Sequence, residues 1–248
     1  MYDIENTTSL ITGGTRGIGL AIAEALLAAG GNVVINGRSA TIEGDELIAQ
    51  HGPTRVTAVY ADVSDPSAAT RIVEQAAETS GRLDVLVHAA GSPAPGRISE
   101  LKTDNWMDAF AVHVHPVFHL FRAAHPHLVK KGGAVLLISS VAGIRGCPGT
   151  VAYQTVKGAL IPLAKALAFD HGPENIRVNL LVPGIIRTRF HEAMSEVAKA
   201  HNIGARIPLR REGVVEDVAS AAMQMLTNEF ITGETLVIDG GMSMRVTG

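Results

Sequence analysis

Thr12-Gly13-Gly14-Thr15-Arg16-Gly17-Ile18-Gly19 decides the fold through what flanks it. The apolar run Ser9 to Ile11 precedes it, and it opens directly into Leu20-Ala21-Ile22-Ala23-Glu24-Ala25-Leu26-Leu27. A strand, a glycine-rich turn and a helix in that order form the first half of a βαβ unit whose turn cradles a phosphate. Missing side chains at Gly13, Gly17 and Gly19 permit a tight turn, close approach of a pyrophosphate and close packing of helix on strand. The helix N-terminus adds free amides and a positive dipole. Gly13, Thr15, Arg16, Gly17, Ile18 and Gly19 are therefore assigned to a dinucleotide cofactor.

The same rhythm runs outward from this loop. Strands are predicted at Ser9 to Ile11, Asn32 to Ile35, Val56 to Tyr60, Val85 to His88, Val135 to Ser139, Val178 to Val182 and Leu236 to Ile238, separated by Ala- and Leu-rich segments with helical spacing. Several strands are apolar at consecutive positions, as in Val135-Leu136-Leu137-Ile138, which suits central strands covered on both faces. The expected fold is α/β, a doubly wound parallel seven-stranded sheet. No repeat or linker divides the chain, so residues 1–248 form one domain. The rhythm fails once. Before a late helix near Val214 to Leu226, residues 187–213 carry Arg187, Arg189, Lys199, Arg206, Arg210 and Arg211. A long insertion after a strand's carboxyl end is expected to be a substrate lid.

Composition narrows the function. With 21 Lys and Arg against 24 Asp and Glu, the net charge is −3, and no basic block gives reason for a nucleic-acid or membrane partner. Cys147 is the single cysteine, which excludes an internal disulfide and a paired-cysteine zinc site. No apolar run reaches the roughly 18 residues of a membrane span, and the acidic N-terminus lacks a signal-peptide stretch. The expectation is a cytoplasmic enzyme or small-ligand binder.

The second predicted strand ends in Asn36-Gly37-Arg38-Ser39, where an NAD site carries an acid on the ribose hydroxyls. A carboxylate repels a 2′-phosphate, whereas the Arg38 guanidinium offers it a charge-assisted fork and Arg16 can approach from the glycine loop. NADPH is expected over NADH. Farther on, Tyr153 and Lys157 lie four apart in a good helical segment, so both share one face. An ammonium beside the phenol is expected to draw Tyr153 down from its reference value of ~10 and make it a general acid. Ser140 ends the fifth strand at the ligand edge, where its hydroxyl can hold a carbonyl oxygen.

The glycine spacing Gly-x-x-x-Gly-x-Gly, Asp62-Val63, His88-Ala89-Ala90-Gly91, Tyr153-x-x-x-Lys157, Pro183-Gly184 and Asp239-Gly240-Gly241 occur in an order that resembles the short-chain dehydrogenase/reductases, over the whole chain. The interval of 13 residues from Ser140 to Tyr153 is similar to theirs. The resemblance implies a Rossmann-type sheet and places Asp62 by the adenine and Thr188 near the nicotinamide carboxamide. It adds Val63, Ala90, Gly91, Pro183, Gly184 and Ile186 to the cofactor contacts and gives Lys157 a second role on the ribose. It further implies reversible NADPH-dependent reduction of a ketone to a secondary alcohol, with a small-molecule carbonyl substrate and a homotetrameric assembly. A 3-oxoacyl thioester is the first substrate expectation, and the basic lid would tolerate an anion. Steroids, sugars and small diketones fit the resemblance equally. The alternative is a cofactor-sensing binding protein of the same fold with little turnover.

Two places depart from the family pattern. His88 stands where Asn-Asn-Ala-Gly usually begins, and Val112-His113-Val114-His115-Pro116 replaces a Val-Asn-x-x-Gly context. Either His113 rebuilds the proton relay, and is counted with Ser140, Tyr153 and Lys157 as catalytic, or the site is weakened. The helix there is expected to kink, because Pro116 cannot give an N–H to the Val112 carbonyl. Histidines crowd this stretch, and His115 and His119 have the spacing of a metal pair. Between His113 and Lys130 no acid or cysteine completes a ligand set, so no metal is expected. Cys147 is expected to line the substrate pocket as a small apolar group.

Overall fold

The computed structural model describes residues 1–189 and 194–244. The strands β1 (Thr8–Thr12), β2 (Asn32–Gly37), β3 (Val56–Tyr60), β4 (Val85–His88), β5 (Gly133–Ile138), β6 (Ile176–Pro183) and β7 (Thr235–Ile238) form one sheet in the order β3-β2-β1-β4-β5-β6-β7. Every pairing is parallel. Each expected strand is present. β5 begins two residues earlier than its apolar run because Gly133 pairs with Ile176. It also ends at Ile138, so Ser139 and Ser140 lie beyond its carboxyl end.

Alternation along each strand sorts the core into two layers. Leu10, Val34, Leu86, Val135 and Leu137 point to one face, where they meet Ile72 of α3 (Pro66–Ser80), Leu120 and Ala124 of α5 (His115–Leu128), and Leu160 and Ala164 of α6 (Val151–His171). Ile11, Val33, Ile35, Val87 and Leu136 point to the other. There they meet Ile22 and Leu26 of α1 (Gly17–Ala28), Leu47 of α2 (Ile42–His51), and Val218, Ala222 and Leu226 of α8 (Val215–Thr227). Burial on both faces explains the unbroken apolar runs. Each fully buried Leu or Ile adds roughly 1.5–3 kcal/mol. A third, smaller cluster joins Ala109 of α4 (Thr103–His113) to Ala152 and Val156 of α6, with Trp106 and Phe110 against it. It fixes α4 beside the helix that carries Tyr153 and Lys157.

The strand order reverses between β1 and β4, which opens a crevice at the carboxyl ends of these strands. The insertion after β6 contains α7 (Glu196–His201) and a π-helical turn over Asn202–Arg206. Residues 190–193 of the expected lid lie outside the described residues. Among the described residues no helix is long and apolar enough to cross a membrane.

Candidate active site

The glycine loop follows β1 as the sequence predicts. Gly17 sits at φ +57°, a conformation that favours glycine, and a Cβ there would point into space bounded only by Thr188 at 3.6 Å. At Gly19 a Cβ would fall 2.3 Å from the Gly13 carbonyl oxygen, so the helix start and the turn touch backbone to backbone. Arg16 precedes the first residue of α1 without a side-chain cap, and no acid occupies the first turn. The exposed amides and dipole at this end suit an anion. The loop fits a pyrophosphate, with open space at Gly17 and none at Gly13 or Gly19.

Arg38 follows β2 and is exposed, as is Arg16 in the loop. Neither guanidinium forms an ion pair among the described residues, so both are available at the expected 2′ end. Thr15 is buried and fills the space at which a Gly37 side chain would point. Asp62 lies beyond β3, where its Oδ1 accepts from the Ser64 amide at 2.9 Å and hydroxyl at 2.7 Å, while Val63 is buried in the core. Ala90 donates its amide to Thr12 Oγ1 at 3.4 Å, which holds the segment after β4 against the end of β1. Pro183 closes β6, Gly184 lies against Asp239, and Ile186 bridges to Gly213. Thr188 thereby returns to the glycine loop. Ile18 packs at the edge of the second core layer.

Ser140, Tyr153 and Lys157 come together at the carboxyl end of β5. The Ser140 hydroxyl hydrogen-bonds the Tyr153 phenol and accepts from the Ala142 amide at 3.2 Å. Lys157 is buried, and its Nζ donates to the Ile138 carbonyl at 2.8 Å and stands 5.8 Å from the Tyr153 ring centre. Two residues not anticipated from sequence hold this arrangement. Ser139 donates its hydroxyl to the Lys157 carbonyl at 2.7 Å, and Gly143 lets the turn over Val141–Gly143 lie on the α6 backbone, where a Cβ would meet Lys157 at 2.7 Å.

One electrostatic expectation is corrected. The Tyr153 phenol is pushed up to about 12, mainly by burial, with the Ser140 hydrogen bond pulling the other way. Burial also pushes Lys157 down to about 7. The Lys157 ammonium, itself costly to bury, does not offset the burial of the phenol. In the protein alone, Tyr153 is a well-protonated donor.

His113 is the last residue of α4 and is buried. Its Nε2 lies 3.0 Å from the Ser92 carbonyl and 3.3 Å from the Ser92 amide, while its Nδ1 has no hydrogen-bond partner. Its ring leaves no room for a side chain at Gly91, whose Cβ would fall 2.7 Å from Cε1. The expected kink is present. α4 ends at His113, Val114 adopts φ −111° and ψ −53°, and α5 begins at His115. Val117 donates to the Val114 carbonyl at 3.1 Å, and Pro116 has no N–H for Val112.

His88 is the residue that sequence reasoning passed over as a bare departure from a motif. Buried at the end of β4, its Nδ1 is 2.8 Å from Thr12 Oγ1, and the freed main-chain carbonyls of His113 and Val112 flank the ring and raise its proton affinity. Nε2 makes no hydrogen bond of regular geometry. Burial and then the Lys157 charge outweigh these carbonyls and hold His88 down to about 3; the same two causes, in that order, hold His113 to about 3. Both rings are neutral at physiological pH.

The basic residues of residues 187–213 are largely committed. Arg187 pairs with Glu212 at 3.6 Å, Arg189 with Glu43 at 2.9 Å, Lys199 with Glu196 at 2.7 Å and Arg211 with Asp217 at 2.7 Å. Arg206 donates to Asn202 Oδ1 and Arg210 to the Gly204 carbonyl. The positive charge that led to the expectation of tolerance for an anion is thus reduced, because acids from α2 and α8 and from within the insertion pair with Arg187, Arg189, Lys199 and Arg211. Cys147 lies in the loop before α6, where Gln154 grips its peptide through both amide atoms, and lines a cleft of about 460 Å³ with Gly96, Arg97, Pro148 and Gly149.

Comparison with known proteins gives a consistent picture. Residues 13–243 match the family described as "Enoyl-(Acyl carrier protein) reductase". The chain is 34% identical over 243 residues to 3-oxoacyl-[acyl-carrier-protein] reductase FabG of Salmonella typhimurium, spanning 97% of this chain and 98% of that one. It is 32% identical over 252 residues to dehydrogenase/reductase SDR family member 4 of Caenorhabditis elegans, spanning 98% and 97%. A solved short-chain type dehydrogenase/reductase from Mycobacterium ulcerans superimposes with a TM-score of 0.90 at 31% identity, covering 98% of this chain and 92% of that one.

Proposed function

The chain belongs to the short-chain dehydrogenase/reductase family and is an NAD(P)-dependent oxidoreductase of carbonyl and alcohol groups; from that premise we propose that it reduces a ketone to a secondary alcohol with NADPH, reversibly. The observation that carries this reading is the Ser140–Tyr153 hydroxyl pair beside buried Lys157. Two hydroxyls converge where one oxygen is to gain negative charge and then a proton, which is the demand of ketone reduction. Reduction of a carbon–carbon double bond would leave the proton on carbon instead.

A bound nicotinamide cofactor supplies the hydride that reaches the carbonyl carbon. Ser140 holds the carbonyl oxygen, and Tyr153 gives its phenolic proton to that oxygen as the C–O π bond opens. The phenolate is then stabilised by Lys157, whose ammonium also holds the ribose. The glycine loop binds pyrophosphate, Arg38 and Arg16 take the 2′-phosphate, and His113 walls the phenol from the side of Ser92. Residues 187–213 act as a lid over the substrate. A 3-oxoacyl thioester is the first substrate to try, supported by the printed names of the bacterial relatives. A homotetramer in the cytoplasm completes the reading.

The test is a panel of ketones, 3-oxoacyl thioesters included, followed by NADPH consumption alongside NADPH binding by fluorescence. Turnover on at least one carbonyl is expected. Tight binding without turnover on any of them would favour the cofactor-sensing protein.

A further inference from the structure

Among the described residues one cluster of metal-ligating side chains lies outside the candidate active site: His125, His171 and Glu174. Read along the sequence, the histidines from His113 to His127 have no acidic neighbour. The fold supplies one from 49 positions away. His125 lies in the last turn of α5, His171 ends α6, and Glu174 closes the short 3-10 turn Gly172–Glu174 that leads into β6. His125 Nε2 and His171 Nδ1 both point at the same carboxylate oxygen, Glu174 Oε2, at 2.8 and 2.7 Å. All three donor atoms lie within 4.8 Å of one another.

We propose that His125, His171 and Glu174 form a binding site for a borderline divalent transition metal such as Zn2+, clamping the ends of α5 and α6 together. Two imidazole nitrogens and a carboxylate oxygen are a zinc donor set, in which a solvent molecule takes the fourth position. Bonds of about 2.0–2.2 Å to one ion would need the nitrogen–oxygen contacts to open by only about half an ångström. The rings are already oriented for it. Phe121, itself buried, packs against His171 with ring centres 4.8 Å apart and against His125 at 6.2 Å, so both imidazoles are held with their inner nitrogens converging. The side chains remain 25–36% exposed, which leaves a path for the ion and room for a water ligand.

The position argues for a structural role. Glu174 precedes Ile176, the first residue of β6, whereas Ser140 follows β5 and Gly184 follows β6. The metal site and the catalytic hydroxyls thus sit at opposite ends of these neighbouring strands, roughly 20 Å apart at a rise of ~3.3 Å per residue.

The test uses the untagged full chain, stripped with a chelator and titrated with Zn2+. One equivalent is expected to bind, and 100 µM Zn2+ to raise Tm by at least about 4 °C through preferential binding to the folded state. Glu174→Gln, which keeps shape and hydrogen bonding, and His171→Ala should each lose both effects. His119→Ala, which removes one of the spaced pair on α5, should keep them. No stoichiometric binding by the wild type, or binding that survives Glu174→Gln and His171→Ala, would overturn the assignment.

Discussion

The His113 imidazole stands edge-on to the Tyr153 ring, with centres 5.6 Å apart and planes at 85°. The same imidazole reaches the Ser92 main chain through Nε2, so the wall beside the phenol is tied to the segment after β4. Tyr153→Phe keeps this ring contact and removes only the hydroxyl that Ser140 bonds. The variant should therefore lose kcat by about 10²–10⁴, the share of a positioned proton donor. Its NADPH affinity should stay within about twofold. Steady-state kinetics and fluorescence titration measure the two, and residual turnover above about a tenth of wild type would remove Tyr153 from the proton-donor role.

On the proposed reading, coenzyme choice rests on Arg38. Exposed and without an acidic partner among the described residues, it can turn its whole fork toward a 2′-phosphate. Arg38→Asp replaces attraction by repulsion. Each lost charge-assisted contact is worth about 1.5–3 kcal/mol, so the NADPH to NADH ratio of kcat/KM should fall at least about tenfold. If the wild type already prefers NADH, Arg38 has another role.

The sheet was legible because its central strands are buried on both faces, as in Val135 to Ile138, and because helical segments alternate with them. Ser140, Tyr153 and Lys157 were legible because spacing along one helix and one strand end is a local property. His88 was not. Its meaning comes from Thr12 on a neighbouring strand and from the carbonyls that the Val114 bend frees, none of which is near it in sequence. The positive charge of residues 187–213 was overread for the same reason, since Glu43 on α2 and Asp217 on α8 pair with two of its arginines. The phenol was misjudged because helical spacing tells that Lys157 is near Tyr153 but not that burial of the phenol outweighs that neighbour.

Acid should destabilise the fold through the two buried histidines. Their folded values of about 3 lie below the ~6.5 of an exposed imidazole. Between these limits the unfolded chain binds protons that the folded chain refuses. Stability is therefore fully present above about pH 6.5 and declines as pH falls toward 3, by about 1.4 kcal/mol per pH unit for each ring. Lys157, held to about 7, has the same sign in a higher window and adds stability as pH rises from about 7 to 10.5. Urea unfolding at pH 7.5, 6 and 5 should show a shallower decline for His113→Asn than for wild type, whatever the offset at pH 7.5. Parallel declines would mean that His113 takes up its proton in the folded state.

The bend at Val114 should matter more to turnover than the imidazole that precedes it. Pro116 cannot donate to Val112, and Val117 gives its amide to Val114, so two successive carbonyls leave the helix beside His88, whose ring also feels the Lys157 charge. The structure sets the His88 ring against those carbonyls, where it can hold the bend open. Pro116→Ala restores an N–H, lets Val112 regain its helical bond and draws both carbonyls back into the helix. That variant should lose about tenfold or more in kcat, equivalent to about 1.4 kcal/mol of barrier. His113→Asn leaves the backbone as it is and should lose less than about threefold. The two variants need only kcat at saturating NADPH and ketone, with Tm measured to exclude unfolding. The reverse order would move the proton path from the backbone carbonyls to the His113 ring itself, through the Nδ1 that has no hydrogen-bond partner.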